Sequence, residues 1–586
     1  MCQFIKKALF TLCLSIIMLW MYQYFNPEHS IINHEHYGAG YKLNAPMPSR
    51  SELISKLEKH KSQSEDEFDV LIIGGGATGS AIALDANSRG LKVALFEKED
   101  YSSGTSSRST KLLHGGVRYL KKAMTNLDAS QFFLVREALH ERYLLFNQAP
   151  HLTNFIPLIT PIYSWSEIIP TFIQLKLYDW IAYPHLHDSY FVSAEEASKL
   201  FPMIKKEGLK GAMIYYDGQF DDARTNLGLI LTSIQRGVLS LNRFGVVELT
   251  HNSTGKLNGA IVKDELTGKT YPVRANTIIN AAGHFADDIR LMDDATSTKL
   301  LQAASGIHIV LDGKFCPANE GLLIPKTKDN RVLFLLPWKG KTLAGTTDSP
   351  SPITNNPKPS EADIQYILDH INMYFQVKVS REDVLSAWSG IRPLKKATEE
   401  KDTASISREH AIYTSPSGLM TIIGGKWTTT RSMASDIMEK AIKQSPQLQE
   451  RIIGPPFTDR IKLVGGEEFN PLYVKKMKLD PIIAEHLNSV YGDQAYLVEE
   501  IALKEGRTAK LHPLYPFIEA EIIYSIRYEY AVKILDILER RTRIQFIDTK
   551  TSSSLIPIIS QIMAEELKWT TEQKTAEEQE VHKYLQ

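Results

Sequence analysis

The stretch DVLIIGGGATGSAIALDANSRGLKVALFEKED, Asp69 to Asp100, limits this chain more than any other. Val70 to Ile73 reads as an apolar strand, and it runs into Gly74-x-Gly76-x-x-Gly79. A helix follows over Ala77 to Arg89, then a second strand over Lys92 to Phe96 that ends at Glu97. Gly74 permits the tight turn, Gly76 lets backbone approach a pyrophosphate, and Gly79 lets helix and strand pack closely. Ala77 and Thr78 open the helix, whose N-terminal N–H groups and dipole favour phosphate. Glu97 stands about 20 residues on, where a carboxylate accepts hydrogen bonds from ribose hydroxyls. The spacing predicts a dinucleotide site on an α/β fold.

The turn alone does not say which dinucleotide. The next stretch, SSGTSSRSTKLLHGGVRYL (Ser102 to Leu120), is rich in Gly, Ser and Thr. Its many hydroxyl and amide donors suit a loop threading beside an extended dinucleotide and its ring system. A nicotinamide-binding fold has no routine need for it. Further on, ANTIINAAGHFADDI gives a buried strand over Thr277 to Ala281 that ends at Gly283. GLMTIIGGKWTTTRSMASDIMEKA gives a strand, a Gly424-Gly425 turn and a helix start near Thr428. Distant segments thus return to one ligand, which suits a large two-domain flavoprotein. The three cysteines, Cys2, Cys13 and Cys316, have no paired spacing. That argues against a disulfide scaffold, a zinc site or an iron–sulfur cluster, so electron transfer must rest on an organic cofactor. A net charge of −1 gives no sign of a nucleic-acid partner.

The N-terminus, MCQFIKKALFTLCLSIIMLWMYQYF, has two lysines and then an apolar run from about Ala8 to Phe25. It is just long enough to span a bilayer, with Trp20, Tyr22 and Tyr24 suited to the interface. We read residues 1–25 as a retained anchor. The competing reading is a cleaved signal or targeting segment, although no small-x-small site is clear and no arginine precedes Arg50. Residues 26–66 read as a linker with one short helix near Ser51 to Lys61. From 67 to about 450, strand-like runs alternate with helical periodicity, as in QFFLVREALHERYLLF (Gln131 to Phe146). Residues 451–570 read as a helical domain containing one long amphipathic helix, IIYSIRYEYAVKILDILERRTRIQF, and residues 571–586 as a polar tail.

The chain resembles the FAD-dependent, mitochondrial, quinone-linked glycerol-3-phosphate dehydrogenases. Besides the two opening segments, SGIHIVL, RVLFLLPWKGKTLAGTTDSP, AWSGIRPL, SISREHAI, GLMTIIGGKWTTTRSMA and LERRTRIQFID carry the resemblance, over roughly Glu67 to Asp548. It implies a Rossmann-like FAD-binding domain interleaved with a sheet-based substrate domain over 67–450, and a C-terminal helical domain. It implies oxidation of glycerol 3-phosphate to dihydroxyacetone phosphate, with hydride passing from C2 to flavin N5 and electrons to ubiquinone in membrane lipid. The implied location is the mitochondrial inner membrane, with the catalytic body facing the intermembrane space. Oligomeric state stays open, a homodimer among the options.

The chemistry needs a base for the substrate hydroxyl, cations for a phosphate dianion and a donor near the developing carbonyl oxygen. The resemblance assigns the base to His308. A satisfied core histidine between Ile307 and Ile309 is the bland alternative. Arg118, Arg331 and Arg392 suit phosphate, because a guanidinium is forked and permanently charged. Lys426, at the GGK turn, suits oxyanion or phosphate stabilisation. Tyr119 and Thr346 match substrate-lining positions, and Arg408 is a candidate for a supporting charge. The cofactor set is Gly74, Gly76, Ala77, Thr78, Gly79, Glu97, Lys98, Ser106, Ser107, Lys111, His114, Gly115, Val247, Gly283, Gly425 and Thr428. No metal ligands are expected.

His284 departs from the family, standing where many relatives carry proline. Animal mitochondrial forms also carry a C-terminal calcium-binding extension. No D-x-[DN]-x-[DN]-G loop occurs here, so calcium regulation is not carried over. The main alternative is an oxidase on the same scaffold that passes electrons to oxygen. A 2-hydroxy acid or amine substrate fits the arginines less well. A scaffold without turnover would have no use for His308, Arg392 and Lys426.

Overall fold

In the computed structural model, Val70–Ile73 pairs in parallel with Val93–Phe96 on one side and with Thr277–Asn280 on the other. Parallel pairing buries both faces, which is why Val70–Ile73 and Val93–Phe96 are wholly apolar. The structure describes residues 47–62, 67–126, 128–182, 187–328, 331–396 and 409–585. The expected anchor lies outside them, as does Arg408. No described helix is long and apolar enough to cross a membrane.

The first sheet runs His410–Thr414, Met420–Gly424, Thr270–Asn280, Phe68–Ile73, Val93–Glu97, Leu239–Asn242. The strand Thr270–Asn280 serves two layers. Its second half joins the parallel sheet, and its first half pairs antiparallel with Leu257–Asp264, which pairs with Phe244–His251. The helices Ala77–Ser88 and Thr430–Gln444 pack against each other over this sheet. Helix Arg50–Ser62, expected as an element within a linker, is docked. Leu53 and Leu57 enter the same core, and the Arg50 guanidinium donates to Asn242 Oδ1.

The second sheet has ten strands. Its centre is Leu301–Asp312, flanked by Lys341–Gly345 and by Val384–Lys395, both antiparallel to it. Alternation sends Ile307, Ile309 and Leu311 into one core, under helix Glu361–Tyr374. Val310 and Trp388 join the core of the C-terminal helical region instead.

That region departs from expectation twice. The long helix over 522–546 is broken. Helix Glu519–Glu529 stops at Tyr530, which is left-handed at φ 59°. Side chains take over the carbonyls that the break frees: Asn242 Nδ2 donates to Tyr530 O and Arg541 Nη2 to Glu529 O. Asp536–Arg541 continues as a π-helix and Ile544–Ile547 as a short helix. Residues 571–585, expected as a polar tail, form helix Thr571–Leu585 packed on Thr549–Leu567. Val581 is buried, Lys533 pairs with Glu580, and Tyr584 accepts a hydrogen bond from Arg108.

Candidate active site

The glycine turn is built as its spacing requires. A Cβ on Gly79 would stand 2.0 Å from Gly74 O, and one on Gly74, at φ 108°, would stand 2.7 Å from Ala281 O. Gly76 caps helix Ala77–Ser88 in an extended conformation. The Gly75 N–H donates to Glu97 Oε2 at 2.7 Å, and the Glu99 N–H to Oε1 at 2.8 Å. Burial pushes the Glu97 carboxyl up to about 7 against these two bonds. A carboxylate held in this way is ready to accept further donors, as ribose hydroxyls would be.

The loop after the second strand ties this turn to the second sheet. Ser106 Oγ accepts from the Ala77 N–H at 2.9 Å, and Ser106 O from Trp427 Nε1 at 2.9 Å. Thr105 donates to Ile391 O, and Arg108 Nη1 donates to Ser389 O. Gly390 leaves room for this approach, since a Cβ there would meet Arg108 Cβ at 2.9 Å. Thr110 Oγ1 lies 3.0 Å from His308 Nε2. One loop therefore touches the nucleotide turn, the Arg392 strand and the candidate base.

His308 and Trp388 are directly opposed on neighbouring strands, and their rings stack at 4.4 Å and 23°. A Cβ on Gly345, the other neighbour, would meet His308 Cδ2 at 2.5 Å. The ring is thus fixed on several sides. Its pKa is held well below the ordinary histidine value by burial first, then by the charges of Lys111 and Arg392. The imidazole is neutral at physiological pH, as a proton acceptor must be. Ile307 and Ile309 face the opposite core, so His308 is not merely one more residue of theirs.

Arg392 lies across Gly306, where an added Cβ would meet Nη2 at 2.3 Å. Nη2 donates to Thr346 Oγ1 at 3.1 Å and to Thr347 O at 3.0 Å, and Nη1 is 3.4 Å from Asp348 Oδ1. Arg331 donates to Asp348 O at 3.0 Å and lies over the Tyr366 ring. His308, Thr346, Arg331 and Arg392 thus gather on the second sheet. Across from them, Lys426 Nζ sits 4.1 Å from the centroid of Tyr119. The Gly424–Gly425 turn beneath Lys426 is left-handed at φ 76° and 84°. A Cβ on Gly425 would meet Met433 Sδ at 2.4 Å. The Arg392 strand packs against Met420–Gly424, which brings the two groups toward each other. Arg118 lies on helix Val117–Asn126, and its side chain is outside the described residues.

Other cofactor candidates divide. Thr428 is buried in the turn that opens helix Thr430–Gln444. Gly283, at φ 59°, has open space where a side chain would be. The Gly115 N–H donates to Tyr178 OH at 2.9 Å, and His114 stands beside it, half-buried. Ser107 is buried, and its carbonyl accepts from Lys111 Nζ and Arg543 Nη2. Lys111 differs from expectation, because its ammonium is wholly buried on Asp222 Oδ2 at 2.8 Å and on the Ser107 and Ser109 carbonyls. Its backbone is engaged as well, the N–H donating to Ser109 Oγ at 3.0 Å and the carbonyl accepting from the Phe220 N–H at 3.1 Å. Burial pushes its pKa down to about 8. Lys98 and Val247 are exposed, Val247 at a β-bulge. His284 is buried, with Nδ1 3.4 Å from Thr105 Oγ1, so it braces the bridging loop. Sequence reasoning missed Thr110, Asp222, Asp348 and Trp388. All lie in or beside quoted motifs except Asp222, whose partners are distant in sequence.

Comparison with known proteins agrees with this geometry. Residues 69–431 match the family described as FAD dependent oxidoreductase, and residues 456–574 the C-terminal domain of alpha-glycerophosphate oxidase. The chain is 45% identical over 560 residues to the mitochondrial glycerol-3-phosphate dehydrogenase of Rattus norvegicus, covering 93% of this chain and 76% of the relative. It is 44% identical over 566 residues to that of Arabidopsis thaliana, covering 92% and 89%. The solved glycerol-3-phosphate dehydrogenase of Bacillus halodurans, complexed with FAD, superimposes at a TM-score of 0.72 with 29% identity, covering 91% and 97%. A glycine cradle that no side chain could share, an acid at the end of the second strand and a loop joining both to a basic sheet face make the FAD fit. The chain belongs to the FAD-dependent glycerol-3-phosphate dehydrogenases.

Proposed function

We propose that this chain oxidises glycerol 3-phosphate to dihydroxyacetone phosphate and delivers the electrons to ubiquinone at the mitochondrial inner membrane, its body facing the intermembrane space. The observation that carries the substrate reading is the sheet face itself: a neutral, immobilised imidazole that feels the charge of Arg392, whose partner Asp348 also receives Arg331. Bound FAD supplies the two-electron acceptor. His308 takes the proton of the substrate hydroxyl. Arg331 and Arg392, with Arg118, hold the phosphate, and the forked guanidinium geometry orients it. Lys426, over Tyr119, stabilises negative charge on the C2 oxygen. Thr346 keeps Arg392 in place. Gly74, Gly76, Gly79 and Glu97 hold the adenosine end of FAD; Gly283, Gly425 and Thr428 receive the remainder. Lys98 and Val247 contribute at the rim.

The membrane reading rests on helix Trp165–Ala182. Trp165, Ile169, Phe172, Ile173 and Trp180 are all exposed, Ile169 by 70%. At helical spacing they fall within an arc of about 100°. Lys210 lies over the Trp165 ring, as a snorkelling cation does at a lipid interface. The helix's inner face holds the start of helix Val117–Asn126, which carries Arg118 and Tyr119, since Gln174 donates to Val117 O and Tyr178 OH accepts from the Gly115 N–H.

The test is anaerobic. Glycerol 3-phosphate added to detergent-solubilised holoprotein should bleach the flavin absorbance, and a soluble quinone should restore it. A band that does not bleach overturns the substrate. Recovery with oxygen as fast as with quinone would instead make the chain an oxidase.

A further inference from the structure

Two ring nitrogens of His308 have different surroundings. Nε2 is 3.0 Å from Thr110 Oγ1, while among the described residues Nδ1 is buried with no hydrogen-bond partner. The stack on Trp388 and the backbone of Gly345 stop the ring from turning to exchange them. A neutral imidazole carries one proton, and which nitrogen holds it depends on the bond the other makes. If Thr110 donated to Nε2, the proton would sit on Nδ1 and no lone pair would be left to accept another. If Thr110 accepts from Nε2–H, the Nδ1 lone pair is the acceptor.

We propose that Thr110 is the positioning residue of the base. It accepts the Nε2–H of His308 and so holds the tautomer whose Nδ1 takes the proton of the C2 hydroxyl. Thr110 is well placed for this. It lies in the loop that Ser106 fastens to the nucleotide turn and Arg108 fastens to the Trp388 strand. Next to it, Lys111 is pinned on Asp222 and lies 4.8 Å from the Trp388 ring, so the loop's register against His308 is fixed from both ends. Folding of the cofactor loop and tautomer selection at the base are then one event.

The inference rests on His308 as the base, and the experiment separates the two claims. Thr110→Val, Thr110→Ala, Thr110→Ser and His308→Gln are compared as holoproteins for flavin spectrum, kcat and KM. Expected are a kcat loss of about 10- to 100-fold in Val and Ala, taking the loss seen when the orienting partner of a metal-bound histidine is removed as the scale, with KM within about twofold and an unchanged flavin spectrum. Thr110→Ser, which keeps the hydroxyl, should recover kcat to within about threefold. Full turnover in Val and Ala overturns the positioning role, as does a Ser variant as slow as Val. Loss of FAD or a shifted flavin band in both Val and Ala also overturns it, making Thr110 a loop residue only. Near-normal turnover in His308→Gln overturns the base reading itself, whatever the Thr110 variants do.

Discussion

Glu97 couples the fold, pH and cofactor in one carboxyl. Its folded pKa stands at about 7 against an ordinary value of 4.5. Each pH unit of such a difference is worth about 1.4 kcal/mol, so ionising Glu97 costs the FAD-free fold on the order of 3 kcal/mol. A raised folded pKa means the folded state binds more protons than the unfolded state between pH 4.5 and 7. Its contribution to stability is fully present below 4.5 and is lost as pH rises through 7. Glu97→Gln cannot ionise. In urea unfolding of FAD-stripped protein, the variant should gain stability relative to the parent by about that amount as pH is raised from 4.5 to 8. FAD should reverse the preference, because ribose hydroxyls donate better to the carboxylate than to the acid. The affinity of the parent for FAD should therefore weaken as pH falls below 7, by up to about tenfold per pH unit. The Gln variant should bind more weakly and with little pH dependence. A stability difference that is flat between pH 4.5 and 7 would refute the burial argument. A pH-independent FAD affinity in the parent would remove Glu97 from the ribose.

Other outcomes follow from the same contacts. His308→Gln should lower kcat by about 10²- to 10⁴-fold, the usual worth of a general base, with FAD still bound; steady-state kinetics checks this. Gly79→Ala places a carbon 2.0 Å from Gly74 O, so purified protein should show no flavin absorbance. Lys111→Met leaves Asp222 buried without its ammonium, and breaking such a pair costs about 3–5 kcal/mol; a matching fall in unfolding free energy checks it. Replacing Trp165, Ile169 and Ile173 with serine in protein lacking residues 1–25 should reduce sedimentation with anionic lipid vesicles while leaving turnover with a water-soluble acceptor intact.

Local chemistry accounts for what could be read without a structure. The strand at Val70, the helix from Ala77 and the acid at Glu97 lie within 30 residues, and much of what shapes them is local: Gly79 packs on Gly74 O and Glu97 accepts from the Gly75 N–H. The structure moves their edges only slightly, to Phe68–Ile73 and Ala77–Ser88. Helix Ala129–Gln148 was equally legible, with Asp128 capping Ser130 N–H. Failures begin where a distant group supplies the deciding bond. Nothing in YSIRYEYAVK marks a break at Tyr530, a residue that rarely goes left-handed. The break is stable because Asn242, 288 residues away, meets the Tyr530 carbonyl. The polar composition of 571–585 hides Val581 and Tyr584, whose partners lie on other elements.

The site follows the same division with a different consequence. Motifs singled out His308, Arg392 and Lys426 but were silent on what each one touches. Lys111 and Thr110 are adjacent in one motif, and their fates diverge. The longer side chain looked the better ligand, yet it is consumed by Asp222, 111 residues on. The shorter one, which carried no signal of charge, reaches the imidazole 198 residues on. Strand register decides this. Trp388 opposes His308 and Gly390 opposes Gly306, so an aromatic shelf and a two-glycine hollow form side by side. Shift that pairing by one residue and Trp388 turns to the other core, and the ring loses its shelf. The chemistry of the loop is therefore written in the loop, but its assignment to a particular nitrogen of His308 is written in the pairing of two strands about 80 residues apart.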